Sequence, residues 1–156
     1  MTLSFNTLKS DVQRHLSVIG KRMYDKEGRN MFSNATVSSD ERPILDQYIK
    51  EAAQTVESAL RQLVTAFVIN SSDITLNLTN TRGTQDFDAR CKEMVASFIV
   101  SYTLSEFLGM THQDIARKYQ GESQVNMESL INYAFYKEPP TKTSYAYSDV
   151  TGTIET

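Results

Sequence analysis

The residues best suited to covalent or metal chemistry are one cysteine and two histidines. Cys91 is the only cysteine of the chain, and the histidines are His15 and His112. A zinc site requires several cysteine or histidine ligands at close spacing, and these three residues lie far apart in the sequence. A cysteine nucleophile requires a neighbouring base and an oxyanion donor, and the sequence identifies neither. We therefore expect no metal and no cofactor, and we interpret Cys91 as a small buried hydrophobic side chain.

The acidic residues do not form a recognisable acid–base pair. Glu51 and Glu57 fall on the predicted surface of a helix. Asp86 and Asp88 fall at the start of another helix, where negative charge suits the helix dipole. The chain lacks the glycine-rich phosphate loops, the His-Glu-x-x-His metal motif and the Gly-x-Ser-x-Gly nucleophile motif. We therefore predict that the protein is not an enzyme and that it has no catalytic residue.

A small basic cluster is the remaining candidate for binding chemistry, and it consists of Lys21, Arg22, Lys26 and Arg29. Such a cluster is more often a solvated loop, but it could contact phosphate or an acidic partner. Residues 1–35 contain six Lys/Arg and three Asp/Glu, so their net charge is +3. The remaining residues have a net charge of −6, which gives −3 for the whole chain. This acidic balance argues against a general nucleic-acid-binding protein.

Size and composition indicate one ordinary domain. The length of 156 residues is sufficient for a hydrophobic core without disulfides, and a single cysteine cannot form one within the chain. This suits a reducing compartment or a particle assembled inside a cell. The N-terminus lacks the basic and apolar regions of a signal peptide, and no apolar run approaches the roughly 18 to 20 residues of a membrane span. We expect neither a signal peptide nor a membrane segment.

Apolar periodicity predicts four helices. The longest is predicted over residues 38–70, where apolar residues recur in steps of four and three on one face: Leu45, Ile49, Ala52, Val56, Ala59, Leu63 and Phe67. Ser38 and Glu41 have the spacing of a capping box at its start. The other three helices are predicted over residues 4–20, 86–108 and 111–136. Pro139 and Pro140 end the last one.

Residues 74–79 alternate apolar and polar side chains, as a half-buried strand does. We expect its partner to come from a hairpin at 23–33, from the C-terminal tail or from another subunit. The polar stretches 21–37 and 71–85 are predicted to be loops that project from the helical body. Isolated apolar residues in these loops are predicted to contact neighbouring subunits or a tail protein: Met31, Phe32, Leu76 and Leu78.

Residues 141–156 are rich in β-forming side chains and have no helical period. One interpretation is a frayed terminus. The other is an extended arm that adds as a strand to another chain, with Tyr145 and Tyr147 as aromatic anchors beside Val150 and Ile154. The predicted fold is therefore mainly α, with about four helices, a long amphipathic central helix, one small β element and an extended C-terminal arm. Residues 1–140 form the predicted helical body.

The element order resembles that of the head-to-tail adaptor (head-completion, connector) proteins of tailed phages. The long helix reads Leu45-Asp-Gln-Tyr48-Ile49-Lys-Glu-Ala52-Ala53-Gln-Thr-Val56-Glu57-Ser-Ala-Leu60, similar to the Tyr-Ile-x-x-Ala…Glu-x-x-Leu cadence of the second helix in that family. The resemblance covers residues 5–20, 40–69 and 86–156 as architecture, and leaves out the 23–37 loop and the 74–79 strand. The Trp-free composition, rich in Asn, Ser, Thr and Tyr, suits a crAss-like or other Bacteroides-type phage.

This resemblance implies a virion component assembled in the host cytoplasm. It implies a closed ring, dodecameric in the family, that docks on the portal protein through the arm and receives the tail or the next ring protein. DNA would pass through the ring without specific binding, and no membrane is involved. The main alternative is a cytoplasmic helical protein-interaction or regulatory domain without catalytic activity. A small helical enzyme is a third interpretation, which no constellation of residues supports.

Overall fold

A computed structural model describes residues 1–22, 42–109 and 112–135, which form four helices and three strands. In chain order they are β1 (Thr2–Ser4), α1 (Phe5–Arg22), α2 (Arg42–Ala59), β2 (Val64–Ile69), β3 (Asp73–Leu78), α3 (Phe87–Gly109) and α4 (Gln113–Phe135). The prediction of a mainly α fold with a small β element is confirmed. The predicted arm at 141–156 and the predicted helix start at 38–41 lie outside the described residues.

The three strands form an antiparallel sheet in the order β1-β3-β2. Leu3 lies opposite Ile74, and Phe67 lies opposite Leu76. The Met1 main chain extends the β1 ladder, because it exchanges two hydrogen bonds of 3.0 Å with Leu76. The partners predicted for the 74–79 strand are therefore wrong within the described residues. Both partner strands come from the same chain, since β1 and β2 flank β3.

The helix predicted over 38–70 ends at Ala59, so the prediction is wrong for residues 60–70. Its apolar stripe from Leu45 to Val56 is buried as predicted. After the fully buried Leu60 the chain turns and enters β2. In a strand, Phe67 and Ile69 lie on one face because side chains alternate. The β-branched and aromatic residues of this segment favour that outcome once β3 supplies a partner.

Helix α3 lies at the centre of the helical layer and contacts α1, α2 and α4. Its buried residues include Phe87, Cys91, Val95, Phe98 and Leu104. Small side chains mark its contact with α4, and Ser101, Ser105 and Ser123 are buried. Each of these three serine hydroxyls donates to a carbonyl one turn earlier in its own helix, so none of the three is left unsatisfied by burial. Helix α4 runs without a break through Gly121.

The helices alternate in direction relative to the sheet. The Phe5 N–H donates to the Ser72 carbonyl at 2.8 Å, so α1 starts at the sheet and runs away from it. Helix α2 returns and leads into β2, and α3 leaves again after β3. The Thr81 Oγ1 donates to the Ala134 carbonyl at 2.5 Å, so the C-terminal end of α4 lies beside the end of β3. The chain therefore leaves its last described helix next to the sheet.

Candidate interaction surfaces

Strand β2 lies at one edge of the sheet, and no described strand pairs with its outer side. The Asn70 N–H donates to the Asp73 carbonyl at 2.8 Å. In an antiparallel pair, every second residue forms main-chain hydrogen bonds with the partner strand. Counted back from Asn70, the N–H and C=O groups of Val68 and Ala66 therefore point towards β3. The N–H and C=O groups of Phe67 and Ile69 therefore point outward. The strand contains no charged residue and no proline, and such an unprotected edge is a template for strand addition.

The loop after β3 holds the C-terminal end of α4. The Arg82 Nε donates to the Tyr133 carbonyl at 2.8 Å, and the guanidinium carbon lies 4.3 Å from the Tyr133 ring centre. That ring stacks on Phe87 with centroids 5.8 Å apart. The Asn80 Oδ1 accepts from the N–H groups of Arg82 and Gly83, and Gly83 has the positive φ of 68° that this tight turn requires. A cation here also opposes the partial negative charge of the helix end.

An open groove with polar walls runs along α3 between α1 and α4. The floor contains Ala96, Ser97, Val100, Ser101 and Leu104, and the walls contribute Asp11, Arg14 and His15 from α1 and Tyr119, Glu122 and Asn126 from α4. The His15 and Tyr119 rings meet edge to face with centroids 6.2 Å apart. The Asn126 Nδ2 donates to the Ser101 Oγ at 3.2 Å. This arrangement can bind a peptide or a helix through polar contacts.

A second groove lies on the other side of α4, between α4 and α2. It is lined by Thr55 of α2, by Phe98, Tyr102, Ser105 and Glu106 of α3, and by Gln120, Ser123, Gln124, Met127 and Glu128 of α4. The Phe98 and Tyr102 rings contact each other with centroids 5.8 Å apart. Burial, with a smaller contribution from Glu106, raises the pKa of the Tyr102 hydroxyl.

The groups first considered for chemistry are not arranged for it. Cys91 is fully buried, which confirms its interpretation as a core side chain, and burial raises the pKa of its thiol to about 11. A thiol with that pKa is protonated at neutral pH and is a weak nucleophile. His15 lies on α1, whereas His112 immediately precedes α4. Within residues 1–22, 42–109 and 112–135, no group of three or more His, Cys, Asp or Glu could hold a metal ion.

The predicted contact residues divide into those the structure describes and those it does not. Leu76 lies in the central strand and is only 2% exposed, because β1 and β2 flank it and the helices cover it. Its assignment to a projecting loop is therefore wrong, and its side chain is not available to a neighbour. Leu78, at the end of β3, is half-buried against the core.

The structure describes no side chain of the remaining predicted contact residues. Lys21 and Arg22 are the last two residues of α1, and their side chains are not described. The others lie outside the described residues: Lys26, Arg29, Met31, Phe32, Tyr145, Tyr147, Val150 and Ile154.

Sequence reasoning missed two features of these surfaces. The first is the outer edge of β2, because its residues had been assigned to a helix. The signal that could have identified it is the dense run of β-formers in Val64–Ile69. The second is Arg82, whose partner Tyr133 lies 51 residues away. No local pattern could reveal that pairing.

Comparison with known proteins adds no relative, since no family model, no curated protein and no solved structure matches the chain. Among the helices that the structure describes, none is both long and apolar enough to cross a membrane. The surfaces described above are therefore the observations from which function has to be inferred.

Proposed function

We propose that the protein is a structural component of a tailed-phage virion, a neck ring that connects the portal to the tail and continues the DNA channel. One observation carries the proposal: Thr81 and Arg82 hold the C-terminal end of α4 at the sheet. The last described residue of α4, Phe135, therefore lies at an anchored helix end, and the tyrosine-bearing segment 141–156 follows it in the sequence. An arm that reaches a portal protein requires such an attachment, because a loose one would increase the ordering cost of binding.

The lateral surfaces suit a ring subunit. A ring is built from head-to-tail contacts, so each subunit must present two different surfaces to its two neighbours. The two grooves along α3 lie on either side of α4 and differ in chemistry: one has polar walls, and the other contains Phe98 and Tyr102. This difference supports a heterologous contact, in which one groove or its rim meets a different surface of the next copy. The ring is proposed to be dodecameric, as the resemblance implies.

The charge balance also supports a channel component. The chain carries a net charge of −3, and an acidic lining would let DNA slide without the counterion release that drives tight binding. The role proposed is architectural, with the portal on one side and a tail or further ring protein on the other. No catalytic step is part of it.

Deletion of residues 141–156 tests this function in particles. We expect DNA-filled heads without tails, because the ring would lose its attachment to the portal. The matched control replaces the same residues with a Gly/Ser segment of equal length, which should give the same defect if side chains and strand formation matter. Normal numbers of tailed particles with the deleted protein would refute the proposal.

A helical interaction or regulatory domain is the second candidate. The polar groove of His15, Tyr119 and Asn126 favours it, because such a groove can accept a partner helix or peptide without any ring. The two candidates differ in mass and location. A neck protein is found in purified virions and forms rings when mixed with its portal protein, whereas a regulator does neither.

A further inference from the structure

We propose that the outer edge of β2 is a strand-addition site, and that its occupant in the unassembled chain is the chain's own C-terminal segment, residues 141–156. The inference does not depend on the proposed function, since it concerns the protein before any partner binds. Three observations carry it: the chemistry of the edge, the position where the chain leaves α4, and the length and composition of the segment that follows.

The edge of β2 is built for pairing. The outward N–H and C=O groups of Phe67 and Ile69 have no described partner strand. The strand has six residues and no charge, and Val68 is 48% exposed. Proteins normally shield such an edge with a charge, a proline, a bulge or a covering segment, because it otherwise recruits other chains. The only irregularity in this strand lies at its start, between Val64 and Ala66, so the part from Phe67 to Ile69 requires a cover.

The chain leaves α4 close to this edge. The Ala134 carbonyl accepts from the Thr81 Oγ1 at 2.5 Å, and the Thr79 N–H donates to the Leu63 carbonyl at 2.8 Å. Two residues of extended chain, roughly 7 Å, separate Thr79 from Thr81. The end of α4 therefore lies near the start of β2. Residues 136–140 can span up to roughly 17 Å, which is sufficient to bring residue 141 to that start.

The segment has the length and composition for the pairing. Covering Val64–Ile69 requires a strand of roughly 20 Å, about six residues, and residues 141–156 exceed that. Their Thr, Tyr, Val and Ile residues favour a strand. The stretch between α1 and α2 is a poorer candidate. It joins the helix ends that point away from the sheet, and an 18-residue helix is roughly 27 Å long.

If the protein is a neck component, residues 141–156 would pair first with β2 of their own chain and then with a partner protein. The strand would cover β2 in the free subunit and would move to a sheet edge of the partner during assembly. The exchange replaces one set of main-chain hydrogen bonds with another. It also keeps an uncharged edge covered until assembly.

Residue-resolved amide exchange on the full chain tests the inference. A variant carrying Ser144→Pro, Tyr147→Pro and Val150→Pro cannot form a continuous strand in the segment. We expect the Phe67 and Ile69 amides to exchange at least about tenfold faster in this variant than in the unaltered chain, because an outward amide is protected only by an added strand. The Ala66 and Val68 amides, which bond to β3, should not change. The matched control carries Ser144→Thr, Tyr147→Phe and Val150→Ile and should keep the protection.

Equally fast exchange of Phe67 and Ile69 in the unaltered chain would overturn the inference. Disulfide trapping gives a second, independent readout in a Cys91→Ala background. Val68→Cys is combined with single cysteines at each position from 143 to 151 and oxidised. Intrachain disulfides at alternating positions are expected, since strand side chains alternate. Disulfides only between two copies would overturn the assignment to the chain's own segment, and no disulfide at any position would overturn the site.

Discussion

Helix α3 and strand β2 show how differently two apolar segments of one chain can be used. Eleven residues of α3 are buried, and helices cover it on several sides. No residue of β2 is fully buried, although five of its six residues are apolar. One segment supplies the core that stabilises the fold, and the other keeps an outer edge that no described strand pairs with. Hydrophobicity alone therefore does not distinguish a core element from a partly exposed edge strand.

The difference follows from the position of each element in the chain. Helix α3 is followed by α4, which returns along it and covers it, whereas β2 is followed by a hairpin that covers only one of its edges. What remains exposed on β2 is hydrogen-bonding capacity as well as apolar surface. Substitutions in α3 should therefore change stability, and substitutions at the outer edge of β2 should change contacts.

The largest expected effect separates these two regions directly. Leu104→Ala in α3 should lower the free energy of unfolding by about 2–5 kcal/mol, because the fully buried side chain leaves a cavity. Val68→Ala in β2 removes a half-exposed side chain and should cost less than about 1 kcal/mol. Denaturant unfolding of both variants measures the difference. Equal costs would show that β2 belongs to the core as much as α3 does.

A smaller effect is expected from the buried thiol of α3 at high pH. The pKa of Cys91 is raised from 9.0 to about 11 in the folded chain. The folded state therefore keeps a proton that the unfolded state releases. Stability from this group is complete below pH 9 and is lost as the pH rises to about 11, by up to about 2–3 kcal/mol.

Urea unfolding between pH 8 and 11, under reducing conditions, measures this loss. Cys91→Ala should show a shallower decline with pH than the unaltered chain, whatever its absolute stability. Parallel declines in the two proteins would contradict the burial of the thiol.

The smallest effect concerns the loop between β3 and α3, where Arg82 holds the end of α4. Arg82→Ala should cost about 1–2 kcal/mol, because it removes a charged hydrogen bond to the Tyr133 carbonyl and a cation–π contact. Arg90→Ala is the matched control. Its ion pair with Asp86 is exposed to solvent, so its removal should change stability much less than the removal of Arg82. Thermal unfolding of both variants compares them, and the same small change in each would show that Arg82 does not anchor α4.

The helices that form the core were predictable because the spacing of their apolar residues is a local property of the sequence. Leu45, Ile49 and Val56 recur at helical spacing and are buried as predicted. The same reasoning failed at Leu63 and Phe67, where the helical spacing continues but the chain turns at Leu63 and forms a strand at Phe67. Two patterns fit those residues equally well, and only the pairing with β3 decides between them.

By itself, the sequence determined the helical class, the approximate bounds of α1, α3 and α4, the strand β3 and the burial of Cys91. Each of these depends on side-chain periodicity or on the burial preference of one residue type, which are properties of short segments. The tertiary structure alone decided the end of α2, the sheet order β1-β3-β2, the burial of Leu76 and the pairing of Arg82 with Tyr133. These features join residues far apart in the chain, and a contact of that kind forms only when the whole core is assembled.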